Sequence, residues 1–156
     1  MTKPVPRRQQ IIDAARLLLG TPWKLQGRNE QGVDCGGLLV LIARAVGLPW
    51  RADEDTPTYT MTPRGDSLLT YLSNCGANYL GMKDPPPGSI TVFWWNRQTK
   101  TPAHLGIMTD RQTVIHVYAP TFRTGHVTED FFAGVMEKRL VAVYEFPGVL
   151  PWQPSS

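Results

Sequence analysis

The order of apolar and polar positions predicts helices in the first half of the chain. Between residues 9 and 19, apolar side chains recur on one helical face, and the pattern ends at Gly20. A continuous apolar run at residues 38–46 is typical of a buried helix. After a connection rich in proline and threonine at residues 50–63, the pattern predicts a short third helix around residues 68–72.

The pattern changes to strands after the turn Pro85-Pro86-Pro87-Gly88. A short helical turn is predicted within residues 129–138, and Pro147 opens a C-terminal tail. Helices followed by strands indicate an α+β fold, in which N-terminal helices pack on a mostly antiparallel sheet of about five strands. We predict one domain over residues 1–156, with a core from about residue 11 to residue 146. Runs rich in β-branched and aromatic residues predict the strands at residues 89–95, 103–108, 113–118, 122–127 and 140–146.

Composition excludes several classes of protein. A hydrophobic content of 42% supports one ordinary core, and the net charge of +3 comes from scattered lysines and arginines. We interpret them as ordinary solvated charge and expect no nucleic acid partner. No segment approaches the roughly 18 apolar residues of a membrane span, and the basic N-terminus precedes an amphipathic helix. We therefore expect no membrane insertion and no export signal. Two cysteines, Cys35 and Cys75, cannot build a disulfide framework, although a single disulfide stays open.

The segment Asp34-Cys35-Gly36-Gly37 carries the first candidate chemistry. Asp34 is a favourable N-cap residue, and the two glycines allow another group to approach the first helical turn closely. Cys35 then lies at a helix N-terminus, where unpaired N–H groups and the helix dipole favour a thiolate. We predict that Cys35 is a nucleophile, and that the oxyanion and substrate pocket involves its backbone N–H, Trp23, Asp34 and Gly36.

A nucleophilic cysteine needs a base, and the chain has three histidines, His104, His116 and His126. A hairpin centred on Asp110 places His104 directly opposite His116 on one face of the sheet. We predict that His104 Nδ1 faces the sulfur as base and acid, and that its other nitrogen approaches His116. His116 would then hold the ring of His104 in one tautomer. His126 is assigned a structural role.

Other interpretations of these residues are weaker. Cys35 and the two histidines could form an open three-ligand zinc site. A cysteine at a helix start favours thiolate reactivity instead, and no acidic residue is obviously placed as a base for a metal site. We therefore expect no metal and no cofactor. Cys75 is interpreted as a structural cysteine, and the indoles of Trp23, Trp94 and Trp95 as core or cleft wall.

Five segments together resemble the successive motifs of the NlpC-type (NlpC and p-sixty) papain-like cysteine peptidases. The likeness extends from about residue 11 to residue 146. Within the family, the versions encoded in phage and prophage tail gene clusters share the Gly-Val-Asp-Cys sequence and an ending like that at residues 140–148. The five segments are Gly20-Thr21-Pro22-Trp23, Val33-Asp34-Cys35-Gly36-Gly37-Leu38, Pro87-Gly88-Ser89-Ile90, His104-Leu105-Gly106-Ile107 and Ile115-His116.

The resemblance implies a papain-like fold and a catalytic triad of Cys35, His104 and His116. It also implies hydrolysis of the stem peptides of bacterial peptidoglycan, typically between the D-glutamyl residue and the diamino acid. Trp23 stands where the family commonly has tyrosine, and Ser89 stands where it commonly has aspartate. Gly36 replaces a common serine, and none of these changes removes a member of the triad.

The resemblance also suggests where the protein acts. Because the sequence shows neither a signal peptide nor a wall-binding domain, we expect synthesis in the bacterial cytoplasm and incorporation in a virion tail. Its partners would be the peptidoglycan stem peptide and phage tail-tip proteins, and it would open the wall during DNA entry. Two alternatives stay open at this point. One is a structural tail-tip or adaptor protein with little activity, and the other is an amidase or acyl-transfer enzyme acting on a small substrate.

Overall fold

Helices and one small hairpin form the first half of the protein, as described by a computed structural model that covers residues 8–51, 55, 63–81, 84–121 and 124–153. None of the helices in these ranges has the length and apolar character needed to cross a bilayer. Most of the 50–63 connection lies outside them. The elements are α1 (Arg8–Leu17), β1 (Arg28–Asn29), β2 (Gly32–Val33), α2 (Cys35–Val46) and α3 (Ser67–Asn74).

The second half is a sheet of six strands in the order β3-β8-β4-β5-β6-β7, with every described neighbouring pair antiparallel. The predicted α+β fold is confirmed, and the sheet has six strands where about five were expected. The sequence pattern does not predict β3, because this strand has only two residues and both are exposed. The elements are β3 (Asn78–Tyr79), β4 (Ile90–Trp94), β5 (Pro102–Met108), β6 (Thr113–Thr121), β7 (Thr124–Phe131), α4 (Val135–Lys138) and β8 (Leu140–Glu145).

Helix α2 is fixed at both ends and along its buried face. The Asp34 carboxylate accepts a hydrogen bond from the Gly37 N–H at 2.9 Å, which caps the N-terminus. The helix ends at Gly47, whose left-handed backbone (φ 81°) lets its N–H bond to the Ala43 carbonyl. Buried aliphatic residues of α2 pack on the sheet in one cluster that includes Leu38, Ile42, Leu105, Ile107 and Ile115.

Gly37 allows the close approach that the sequence suggests at the first turn of α2. A Cβ atom at this position would stand 1.9 Å from the carbonyl oxygen of Gly27. The approaching group is therefore backbone of the loop before the β1–β2 hairpin. This contact holds that loop against the start of α2, beside Cys35.

The register of the β5–β6 hairpin differs from the predicted one by two residues. Gly106 lies opposite His116 and Ile107 opposite Ile115, so His104 and His116 are not directly opposed. The reason is the turn: Thr109 N–H bonds the Thr113 carbonyl, and Gln112 adopts a left-handed conformation (φ 59°). A three-residue loop ending in such a residue moves the hairpin centre by one position. Because side chains alternate with period two, both histidines still lie on the same face.

Candidate active site

Cys35 is the first residue of α2, and its sulfur lies beside strand β5. The backbone N–H groups of Gly36 and Leu105 lie near the sulfur and act to lower its pKa. The N–H of Leu105 points toward β6, but the described pairs between these strands end at Gly106 and His116. The Leu105 N–H is therefore a donor that the described ladder leaves unused, and it lies near the sulfur. The sulfur is thus next to the residue that follows His104.

The Cys35 sulfur rests as a thiol. Burial, together with the nearby Asp34 carboxylate, raises the pKa of Cys35 to about 12 against the opposing effect of the two N–H groups and Arg28. The sequence predicts a thiolate from the helix N-terminus alone, and this prediction is wrong for the resting protein. The donors that the helix supplies are present, but desolvation and the adjacent carboxylate outweigh them.

His104 and His116 are in direct contact. His104 Nε2 lies 2.7 Å from His116 Nδ1, and the ring planes meet at 76°. The nitrogen predicted to approach His116 is therefore the one that does so, which leaves His104 Nδ1 as the remaining nitrogen. The contact spans a diagonal of the ladder, a distance that long or aromatic side chains can bridge. Gly106, opposite His116, has no side chain to obstruct it.

Asp130 extends this row of rings, and the sequence interpretation missed it. Its Oδ2 lies 2.7 Å from His116 Nε2 and also accepts a hydrogen bond from the Thr128 hydroxyl. Burial raises the pKa of Asp130, but the hydrogen bonds from His116 and Thr128 outweigh it and hold the pKa below its ordinary value. The useful signal was the alternation of β7, which sets Thr128 opposite His116 and Asp130 one diagonal away. This alternation identifies Asp130 only when the β6–β7 register is known.

This row fixes the tautomers of the two rings. A carboxylate accepts a hydrogen bond, so Asp130 requires a proton on His116 Nε2. Neutral His116 then offers a lone pair at Nδ1 and accepts from His104 Nε2. His104 keeps its own lone pair at Nδ1, where a general base needs it.

His104 is neutral at neutral pH. Burial, with the neighbouring His116, lowers the pKa of His104 well below 6.5. The Trp95 ring packs against its imidazole with centroids 4.6 Å apart. At neutral pH the resting protein therefore has a neutral thiol at Cys35 and a neutral imidazole at His104.

The three predicted pocket residues differ in what they do. Asp34 is buried, and its carboxylate accepts hydrogen bonds from the N–H groups of Gly37 and Gln26 and from the Arg28 guanidinium. It serves the helix start and is not available to a ligand. The Gly36 N–H lies near the Cys35 sulfur. Trp23 is half-buried against the main core, and its backbone bridges to Val33.

A buried charge network supports the start of α2. Arg28 bonds Asp34 at 2.9 Å and makes a two-pronged contact with Asp55 at 2.9 Å on each oxygen. The Tyr71 hydroxyl donates to Asp55 at 2.7 Å. Burial raises the pKa of Asp55, but the hydrogen bonds from Arg28 and Tyr71 outweigh it and lower the pKa overall. Asp55, from the connection at residues 50–63, is thereby tied to the same arginine as the residue before Cys35.

The remaining candidates lie apart from this arrangement. The His126 side chain is exposed on β7, and Cys75 is fully buried at the end of α3. Within the described ranges no group of three histidine, cysteine or acidic side chains is spaced to hold a metal. The 2.7 Å separation of the two ring nitrogens is also shorter than the roughly 3.3 Å between two ligands of one tetrahedral zinc.

Solved structures with the same fold come from the NlpC/P60 proteins. The chain matches an NlpC/P60 family protein from Bacillus cereus ATCC 10987 with a TM-score of 0.65 and 15% identity, covering 92% of this chain and 41% of that one. It matches the NlpC/p60 domain of the peptidoglycan hydrolase SagA with a TM-score of 0.56 and 16% identity, covering 89% and 98%. NlpC2 from Trichomonas vaginalis matches with a TM-score of 0.62 and 14% identity, covering 94% and 49%.

These likenesses concern the fold. The chain spans less than half the length of the Bacillus and Trichomonas proteins. It matches no family model and no curated protein sequence. The architecture built above, with helices before an antiparallel sheet and Cys35 at the start of α2, is thus the papain-like α+β fold of the NlpC/P60 proteins.

Proposed function

We propose that this protein is a cysteine peptidase that cleaves the stem peptides of bacterial peptidoglycan. The observation that carries the proposal is the direct contact between His104 Nε2 and His116 Nδ1, with Leu105, the residue after His104, next to the Cys35 sulfur. The fold of peptidoglycan hydrolase SagA supports the substrate class. The motif resemblance supports the bond between the D-glutamyl residue and the diamino acid.

In the proposed mechanism, the Cys35 sulfur attacks the carbonyl carbon of the scissile bond while its proton passes to His104 Nδ1. The tetrahedral oxyanion is stabilised by backbone N–H donors at the start of α2. His104 then gives the proton to the leaving amine as the C–N bond breaks, which leaves a thioester on Cys35. Water then attacks the thioester carbonyl as His104 takes its proton, and His104 returns that proton to the sulfur as the C–S bond breaks. His116 and Asp130 keep the imidazole in the tautomer that each proton transfer requires.

The resting thiol fits this sequence of steps. With the pKa of Cys35 raised to about 12, only a small fraction of thiolate exists at neutral pH, and the base must act during attack. His104, with its pKa well below 6.5, is available as an unprotonated base.

The decisive experiment compares the wild-type protein with Cys35→Ala on purified sacculi and on defined stem peptides. We expect muropeptide release by the wild type, with product masses that locate the bond, and loss of at least about 1,000-fold in the variant. Cys75→Ala, which changes the other cysteine, serves as the matched control and should retain activity. Circular dichroism and thermal unfolding check that each variant folds.

Two outcomes would refute the proposal. Equal digestion by Cys35→Ala would remove the nucleophile assignment. A folded wild-type protein that cleaves no stem peptide, yet releases an acyl group or ammonia from a small amide, would favour the amidase or acyl-transfer alternative.

We further propose, on the motif resemblance alone, that the protein acts in a phage or phage-like tail tip, together with other tail-tip proteins. Mass spectrometry of purified particles would test this location. If purified particles contain the other tail proteins but not this protein, the proposed location is contradicted.

A further inference from the structure

An open pocket of about 350 Å³ lies beside the candidate active site. It borders the site through Trp95, whose ring packs against the His104 imidazole with centroids 4.6 Å apart. A group bound there would lie one side chain away from the reacting centre. The pocket is lined by Trp94, Trp95, Arg97, Val135, Lys138 and Arg139.

The charge of this pocket is one-sided. Arg97, Lys138 and Arg139 contribute three positive charges, and no acidic side chain among the described residues lines the pocket. Within the described part of the chain, none of the three makes an ion pair with a carboxylate.

The other buried or half-buried arginines behave differently. Arg8 pairs with Glu145, Arg16 with Asp110 and Glu129, and Arg28 with Asp34 and Asp55. Arg139 is half-buried as well, yet among the described residues it has no carboxylate partner.

Arg139 is held in position before any ligand arrives. Its guanidinium lies 5.3 Å from the Trp94 ring centroid and 5.0 Å from that of Trp95. Contacts of this kind stabilise a planar cation on an aromatic face while leaving its N–H edges free to donate. A guanidinium fixed in this way suits two-pronged recognition of a carboxylate. The sequence interpretation counts this arginine among ordinary solvated charges, whereas in the structure it is half-buried and packs on two indoles.

The rim gives the pocket an apolar side as well. Val135 is 64% exposed and lines it together with the two indoles. Such a wall accommodates the aliphatic part of an amino acid, while the cations face its acid group.

We propose that this pocket binds a free carboxylate of the stem peptide adjacent to the scissile bond. This inference rests on the proposed function and names the feature of the substrate that the site selects. Stem peptides carry such carboxylates, because a D-glutamyl residue linked through its side chain leaves its α-carboxylate free.

The test uses synthetic stem peptides that are identical except that one carboxylate at a time is amidated. We expect wild-type kcat/KM to fall about five- to tenfold when the recognised carboxylate is amidated. Arg139→Gln should lose most of this preference, so that its kcat/KM values on the free and amidated peptides come close together. Lys138→Gln, at an exposed position, should reduce the preference partly and provides a variant that is expected to fold. Higher salt should weaken the preference, as for any partly exposed charge contact.

Arg111→Gln is the matched control. It removes the same charge from an exposed arginine at the β5–β6 turn, at the opposite end of β5 from His104. It should keep the full preference for the free carboxylate.

The two proposals can fail separately. If wild-type protein cleaves free and amidated peptides equally, and Arg139→Gln changes neither rate, the pocket proposal is overturned while the peptidase function stands. If no peptide is cleaved, the peptidase function fails. In that case, calorimetry of the same peptides with Cys35→Ala measures their affinities and tests the pocket proposal separately. Equal affinity for free and amidated forms would refute it, and a five- to tenfold preference that Arg139→Gln abolishes would support it.

Discussion

His104 Nε2 lies 2.7 Å from His116 Nδ1, although the residue opposite His116 in the ladder is Gly106. The contact therefore depends on two side chains reaching across a diagonal. It also depends on the absence of a side chain at Gly106. A Cβ atom at Gly106 would stand 2.4 Å from Val114 Cγ1, so the position has no room for a larger residue.

Replacing His116 tests the importance of this contact. In His116→Ala the ring of His104 loses its partner and can adopt either tautomer and other orientations. We expect kcat/KM on stem peptides to fall about 100-fold or more with a small change in KM. His126→Ala, which removes an exposed histidine from the neighbouring strand, is the matched control and should leave the rate unchanged. Equal activity of both variants would show that His116 has no orienting role.

Asp130 should act as a positioning residue through His116. Its side chain is 58% exposed, so water weakens the interaction. We expect Asp130→Ala to lower kcat/KM about three- to tenfold, whereas Asp130→Asn, which keeps an acceptor oxygen, should lose less. In an NMR titration of the imidazole nitrogens, Asp130→Ala should increase the share of His116 with its proton on Nδ1. An unchanged tautomer ratio in a slow variant would assign the loss to another cause.

The pH dependence of the rate follows from the lowered pKa of His104. The base works when neutral, so kcat/KM should hold from pH 8 down to about 6.5 and decline only below that, as His104 takes up a proton. The same depressed pKa means that the unfolded chain binds the proton more readily. His104 therefore contributes stability above its ordinary pKa of 6.5, and this contribution is lost as the pH falls through its folded value.

Rate profiles and urea unfolding at each pH measure the two effects. An acid limb centred above pH 6.5 would instead show that the pKa of His104 is not lowered. That result would contradict the resting state described here.

Arg28 should be a strong determinant of stability. In Arg28→Ala the carboxylates of Asp34 and Asp55, 5% and 9% exposed, lose their shared cation. We expect the free energy of unfolding to fall by about 3 kcal/mol or more. Arg16→Ala removes an arginine from a more exposed pair of contacts and should cost about 1 kcal/mol or less. Urea unfolding near neutral pH compares the two variants, and equal losses would contradict the network described for Arg28.

The pH dependence of stability gives a second measure of the Arg28 network. The lowered pKa of Asp55 means that its contribution is present above pH 3.8 and is lost as the pH falls through its folded value. The gap in stability between wild type and Arg28→Ala should therefore narrow in acid. A gap that stays constant from pH 7 to pH 3 would show that the carboxylates do not depend on this arginine.

Local features decide the helix α2 and its first residue, and these were predictable. Asp34 as N-cap, the apolar run of the helix and Gly47 at its end act over a few residues, so the pattern places Cys35 at the helix start. The alternation of β5 and β6 likewise put both histidines on one face. Period two is a property of the strand itself and survives a register shift of two residues.

Long-range packing decided the rest. The helix start favours a thiolate, but burial against β5 and the Asp34 carboxylate reverses that preference, and no local pattern reports desolvation. Asp130 and the Arg139 pocket depend on how β7 and α4 lie beside distant elements. The sequence by itself determined which groups stand at the ends of helices and on the faces of strands. Only the tertiary structure decided their partners, because neighbours in space set both the hydrogen bonds and the dielectric surroundings of each group.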